Sequence, residues 1–260
     1  MAGDRKSEDS WLIRFGKKTR PALNRWIAKK SLIPTTPVLN PFVFDWAERV
    51  QASWRDIQAE CDALLEERST IPAFGEISPH HRRVAVDNSW RSFFFEAHGY
   101  RLESNRSRCP KTAALLDTIP DLVTAFYSVM EPGTHVPRHK GITKALINVH
   151  LGLRVPAGKD RCRIRIDGED HGWTEGKLLA IDDTFPHEVW NDSSEARALL
   201  FIQVLRPMRA PARLLGKLIV EAATYTTYVQ QARRILGATR GQIIARKGFR
   251  GRWTAANLHR

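Results

Sequence analysis

The chain has 260 residues, 42% hydrophobic, 9% aromatic and 27% charged, with a formal net charge of +13. That composition excludes a wholly disordered or fibrous protein and supports one large domain with extensions. No apolar run approaches the ~18 residues of a membrane span; the best, Ala198 to Leu205, is interrupted by Gln203. The start, MAGDRKSEDSW, has no apolar segment of signal-peptide type, so a cytoplasmic protein is expected. Three cysteines, Cys61, Cys109 and Cys162, are odd in number and far apart, and read as small buried residues.

The charge is unevenly placed. Residues 1–40 carry a net +6 and residues 208–260 a net +10, leaving 41–207 at −3. The sequence therefore divides into a basic N-terminal arm (1–40), a helical lead-in (41–70), a body (71–207) and a basic amphipathic helical C-terminal arm (208–260), with 41–207 taken together mildly acidic.

In the N-terminal arm, Trp11, Leu12, Ile13, Phe15, Leu23, Trp26 and Ile27 lie among bases. After Pro34, Pro37 and Pro41, the spacing of Trp46, Val50, Trp54, Ile57, Cys61 and Leu64 predicts one long helix from Phe44 to Arg68. His80 and His81 read as a polar loop, Trp90 and Phe93 to Phe95 as core or pocket wall, and Arg101, Arg106 and Arg108 as a solvated loop. From Ala125 the period shortens. AFYSVM, KALINVHLGLRV, RCRIRID, KLLAID and RALLFIQVL are β-branched and aromatic segments separated by EPGT, PAGKD and DGEDHG, which predicts an antiparallel sandwich, jelly roll or barrel. In the C-terminal arm Leu214, Leu215, Leu218 and Ile219, then Tyr225, Tyr228, Val229, Ala232, Ile235 and Leu236, recur at helical spacing among bases, and RKGFRGRW interleaves bases with aromatics. Such helices pack on a body, lie on an anionic lipid leaflet or bind nucleic acid, and periodicity leaves the three open.

Three of the nine histidines stand out. His139 follows a turn in VPRHKG, His150 falls in the strand-like INVHLGL, and His187 ends a strand in DDTFPHEVW. Ligands from different strands of a barrel are expected at wide spacing, and His139 and His187 fit that. Arg197 opens the apolar run RALLFIQVL, and a cation there needs an anionic partner. The partner is a small dicarboxylate beside a metal, or a nearby acid such as Asp182, Asp183 or Glu195. His135 reads as a turn residue, and Asp182 and Asp183 as solvated or capping acids.

FYSVMEPGTHVPRHKG, INVHLGLRVP, WTEGKLLAIDDTFPHEVWND and the Arg197 strand, in that order, resemble the aspartyl/asparaginyl beta-hydroxylase family of Fe(II)/2-oxoglutarate dioxygenases. Upstream, IPAFGEISPHHRRV, WRSFFFEAHGYR and CPKTAALLDTIP resemble the branch containing bacterial lipid A hydroxylases. The resemblance implies a mainly β fold, a double-stranded beta-helix (jelly-roll, cupin-like) core with flanking helices. It implies Fe(II) held by His139 and His187, 2-oxoglutarate as co-substrate on Ser128, Met130, His150 and Arg197, and O2 as oxidant. Most iron(II) oxygenases place a carboxylate two residues after the first histidine; here Gly141 stands there, as the family leads one to expect. Asn148 departs from the arginine common at that position.

The expected function is hydroxylation of an unactivated carbon, with an acyl chain of a lipid A-like glycolipid as the favoured substrate and peripheral attachment through the basic arms to the inner face of the membrane. The alternatives are a peptide aspartyl/asparaginyl or small-molecule hydroxylase with the same iron site, and a non-catalytic protein that binds nucleic acid or another anionic surface.

Overall fold

The computed structural model describes residues 11–77, 88–157, 161–240 and 243–245. His80, His81 and RKGFRGRW lie outside the described residues, as do the side chains of Trp11, Leu12, Ile13, Phe15 and Tyr228. The chain begins with helix α1 (Trp11–Lys30), strand β1 (Val38–Leu39) and helices α2 (Ala47–Ala52), α3 (Trp54–Leu65) and α4 (Phe74–Ile77). Strands β2 (Trp90–Ala97) and β3 (Tyr100–Leu102) precede α5 (Glu103–Arg108) and α6 (Pro110–Asp117). The strand-rich body holds β4 (Leu122–Met130), β5 (Thr134–His139), β6 (Leu146–Arg154), β7 (Cys162–Ile166), β8 (Glu169–Gly172), β9 (Leu178–Ile181), β10 (His187–Asn191) and β11 (Arg197–Leu205). Helices α7 (Ala212–Thr224) and α8 (Thr227–Arg240) and strand β12 (Ile243–Ala245) follow.

These strands form two antiparallel sheets, ordered β1-β9-β6-β11-β4-β2-β3-β12 and β5-β10-β7-β8. Pairing of β11 with both β4 and β6, though each is distant in sequence, gives the double-stranded beta-helix.

Alternation along each strand sorts the side chains between two environments. On the outer face of the large sheet Tyr127, Val129, Val149, Leu151, Leu200 and Ile202 pack with Ile57, Cys61 and Leu64 of α3. The other face turns toward the small sheet, where Leu199 and Ile181 meet Cys162, Ile164 and Ile166. Because period 2 is strict, Ser128 and Met130 share this inner face with Phe126, His150 with Asn148, and Arg197 with Leu199 and Phe201.

Four local expectations are corrected. The single helix predicted over 44–68 is two, because the chain turns at Ser53, whose hydroxyl bonds back to the Arg49 carbonyl at 3.0 Å. His135 is in β5, stacked on Trp190 with Nε2 2.7 Å from Glu188. RLESNRSR is strand and helix, with Arg106 buried against Asp117 at 2.8 Å. Asp182 caps its turn, accepting from the Thr184 N–H at 3.1 Å, but it is not solvated: it is fully buried, bonded to Arg206 and to Lys144 Nζ at 2.8 Å.

Candidate active site

His139 and His187 face each other across the small sheet, paired in register at the junction of β5 and β10. A β-bulge makes this pairing. Val189 pairs with Val136, so an unbroken ladder would set Arg138 opposite His187; the extra residue in β5 brings His139 there instead. The ring centroids are 4.1 Å apart with an interplanar angle of 56°.

The same local device orients both rings. His139 Nδ1 lies 2.8 Å from the Pro137 carbonyl and His187 Nδ1 3.0 Å from the Phe185 carbonyl, each two residues back along the chain. A carbonyl only accepts, so each Nδ1 carries the proton and each Nε2 the lone pair. Burial lowers the pKa of both rings, and burial together with the neighbouring His187 brings His139 to about 4. Both are therefore neutral at physiological pH, the state in which imidazole ligates a metal. Among the described residues no cluster of three or more His, Cys, Asp or Glu is placed to hold a metal. The centre has two protein ligands to offer.

Beyond this pair, the inner face of the large sheet holds a cationic recess. Arg197 is buried, and its Nη2 donates to Ser128 Oγ at 3.2 Å. Its guanidinium lies 4.7 Å over the Trp173 ring centroid. None of Asp182, Asp183 and Glu195 pairs with it, and its Nε is buried without a hydrogen-bond partner. Desolvation lowers its pKa to about 10, which still leaves it charged.

His150 is also buried, with its pKa lowered to about 3 by desolvation and by the neighbouring Arg197. Trp173 Nε1 donates to His150 Nδ1 at 3.3 Å, so the His150 proton sits on Nε2. That Nε2 is a second buried donor without a partner. Ser128 Oγ accepts from Trp90 Nε1 at 3.0 Å as well as from Arg197, which holds its oxygen in place. Met130 ends β4 opposite Arg197 as a buried apolar wall.

An unpaired buried cation beside an unsatisfied N–H costs several kcal/mol unless an anion with acceptor oxygens completes it. The donor set therefore suits a carboxylate, and the histidine lone pairs suit a divalent metal next to it. Ser128, Met130, His150 and Arg197 meet on one face, with the histidine pair on the strands across from it.

Two contributors escaped the sequence reading. Trp173 touches both His150 and Arg197, although it heads the WTEGKLLAID segment. Asp183 lies against Gly141: a Cβ on Gly141 would fall 2.1 Å from Asp183 Oδ1, and the Gly141 N–H donates to the Asp183 carbonyl at 2.7 Å. A carboxylate side chain at 141 would overlap the Asp183 carboxylate and could enter only if that side chain moved. Asn148 donates to Asp183 Oδ2 at 3.1 Å and accepts from Gln203 Nε2 at 3.0 Å. Asp183 thus receives an amide from the position where the resemblance leads one to expect a guanidinium, and desolvation raises its pKa to about 6.

Fold and site define a double-stranded beta-helix protein with a two-histidine centre facing a basic, anion-seeking recess. Residues 51–207 match the family described as Aspartyl/Asparaginyl beta-hydroxylase. An "Ornithine lipid ester-linked acyl 2-hydroxylase" of Rhizobium tropici is 34% identical over 203 residues, spanning 78% of this chain and 72% of that protein. The "Aspartyl/asparaginyl beta-hydroxylase" of Homo sapiens is 34% identical over 167 residues, 62% of this chain but 21% of that protein. Among solved structures, KdgF from Halomonas sp. has a TM-score of 0.31 at 10% identity, covering 46% of this chain and 83% of its own. The chain belongs to the aspartyl/asparaginyl beta-hydroxylase family, a family of hydroxylases.

Proposed function

We propose that this protein is an Fe(II)/2-oxoglutarate-dependent hydroxylase acting on an acyl chain of a polar lipid at the inner face of the cytoplasmic membrane. The observation that carries the reading is the pair of buried, partnerless donors, His150 Nε2 and Arg197 Nε, on the sheet opposite two neutral histidines. A dicarboxylate completes both donors, and the neutral ring nitrogens fit a divalent metal.

In this reading His139 and His187 hold the metal through Nε2, and Arg197 and Ser128 seat one carboxylate of 2-oxoglutarate. His150 donates its Nε2 proton to the same co-substrate, while Met130 closes the apolar side. When bound, Fe(II) with 2-oxoglutarate and O2 supplies the oxidising power: the co-substrate leaves as succinate and carbon dioxide, and one oxygen atom enters the substrate. The chain's own part is to keep the two ligand imidazoles deprotonated at Nε2, to fix the His150 tautomer through Trp173, and to neutralise the co-substrate's charge with Arg197.

The lipid substrate is favoured by the Rhizobium tropici relative, of which the chain spans most of the length. No helix among the described residues is long and apolar enough to cross a membrane, so access to the acyl chain is proposed to be peripheral. A peptide substrate is the second reading, favoured by the human relative, of which the chain spans about a fifth. The test incubates the protein with Fe(II), ascorbate and 2-oxoglutarate and, separately, an ornithine lipid, a lipid A-like glycolipid and an aspartate-containing peptide. Gain of one oxygen by a lipid, dependent on both iron and 2-oxoglutarate, supports the reading. Oxidation of the peptide alone overturns the substrate, and turnover without 2-oxoglutarate overturns the chemistry.

A further inference from the structure

Helices α1 and α7 lie side by side on one small core. Leu23, Trp26 and Ile27 of α1, and Ala212, Ile219 and Val220 of α7, pack with Ala145, Leu205 and Met208. On α7 the inward line is Ala212, Gly216 and Val220; a Cβ on Gly216 would stand 2.8 Å from Met208 Cε. Half a turn away, Leu214, Leu218 and Tyr225 are 48%, 53% and 67% exposed. At 3.6 residues per turn these three share the face opposite Gly216.

Beside this apolar stripe lies a basic one. Helix α1 carries Arg14, Lys17, Lys18, Arg20, Arg25, Lys29 and Lys30 and no acid. Lys18, Arg25 and Lys29 are exposed and fall on one line opposite the buried Ile27. Because both helices turn their buried lines to one shared core, both outer lines look away from the body. The layer also adjoins the site. Asn24 of α1 bonds the Ile142 carbonyl at 3.3 Å and the Lys144 N–H at 3.0 Å, and so pins the loop that leaves His139 and Gly141. Ile142 on that loop is 70% exposed.

A row of large apolar side chains beside an unopposed row of bases is the composition of a helix pair lying in a membrane interface. Each base near an anionic leaflet adds attraction, and each buried leucine adds hydrophobic transfer. We infer that the outer face of α1 and α7 docks this protein on an anionic bilayer, with Leu214, Leu218 and Tyr225 entering the interface and Lys18, Arg25 and Lys29 meeting the headgroups. The inference takes its purpose from the lipid-substrate reading. Docking in this way keeps the Gly141–Ile142 loop, which Asn24 ties to α1, close to the lipid.

The full chain is sedimented with vesicles of phosphatidylglycerol in phosphatidylcholine and with pure phosphatidylcholine. The expected result is binding to the anionic vesicles only, weakened by added salt. The double variants Leu214→Ser/Leu218→Ser and Arg25→Glu/Lys29→Glu each lower partitioning at least about tenfold. Both melt with the parent chain and leave hydroxylation of detergent-dispersed lipid unchanged. Equal binding to the two vesicle types, or binding that neither variant alters, overturns the inference. So does tighter binding to polyuridylate than to anionic vesicles at the same salt, or a Leu variant that only converts a dimer to a monomer. If vesicle binding and its losses are as expected but no lipid is hydroxylated, docking stands and the substrate reading fails. If dispersed lipid is hydroxylated but vesicles are not bound, the reverse holds.

Discussion

Trp173 fixes two groups at once: its Nε1–H reaches His150 Nδ1 at 3.3 Å, and its ring carries the Arg197 guanidinium 4.7 Å from its centroid. The first contact sets which nitrogen of His150 bears the proton, and the second holds a cation with no carboxylate partner. Trp173→Phe keeps an aromatic face for Arg197 but removes the donor. With a hydrogen bond worth about 1 kcal/mol, the 2-oxoglutarate concentration for half-saturation should rise about five- to tenfold, while metal affinity measured by equilibrium dialysis stays unchanged. An unaltered requirement for 2-oxoglutarate would remove Trp173 from this role.

Arg197 trades stability for binding. Buried with one neutral hydrogen bond and an aromatic face, its charge opposes folding when no anion is present. Arg197→Met should therefore stabilise the ligand-free chain by roughly 1–3 kcal/mol, read by urea unfolding, and abolish saturable 2-oxoglutarate binding. Retention of binding in that variant refutes the assignment of Arg197 to the co-substrate.

The two histidines make a different prediction. Each ring is held by a carbonyl two residues back and contributes little to the core, so His187→Ala should leave the melting curve close to the parent's and eliminate iron-dependent turnover. His139→Ala should do the same, since neither ligand alone completes the pair. Turnover that survives either change shows that the metal is held elsewhere.

Gly141 tests the spatial exchange with Asp183. A methyl group at 141 meets the Asp183 carboxylate oxygens, which are the end of a side chain and can swing away. Gly141→Ala should cost no more than about 1 kcal/mol of stability yet break the Asn148 to Asp183 hydrogen bond and reduce turnover strongly. Gly141→Asp, which restores the usual carboxylate spacing, should fail to raise metal affinity because its carboxylate must displace that of Asp183 and the two then repel each other. Tighter metal binding by Gly141→Asp would show that the room exists.

The strands were legible because β-branched and aromatic runs with period 2 are a local signal, but alternation pairs only Ser128 with Met130, and the register of β4, β6 and β11 is what brings His150 and Arg197 to the same face. Facing of His139 by His187 was not legible from period. Straight alternation puts Arg138 there, and only the bulge, a property of two strands together, moves His139 into place. The acids of the DD turn misled because turns are normally solvated. Asp182 is buried by Lys144 and Arg206, which lie 38 residues before it and 24 after it in the chain. Trp173 stayed hidden for the same reason: its partners are on β6 and β11, remote in sequence.

Acid should weaken the metal-free fold in a way these pKa values define. The unfolded chain takes up protons on His139, His150 and His187 near 6.5, whereas in the fold His139 waits until about 4 and His150 until about 3, with His187 also lowered. Stability is therefore full above pH 6.5 and falls as pH drops, by at most ~1.4 kcal/mol per group per pH unit. Asp183 opposes this: its folded carboxyl protonates near 6, against 3.8 when unfolded, so its unfavourable contribution is relieved over the same range. Three imidazoles outweigh one carboxyl, and urea-unfolding free energies should decline between pH 6.5 and about 4. His150→Phe removes one of the three, and its decline should be shallower than the parent's. A profile flat across this range would mean that these rings are hydrated and the recess is not the closed, cation-lined site described.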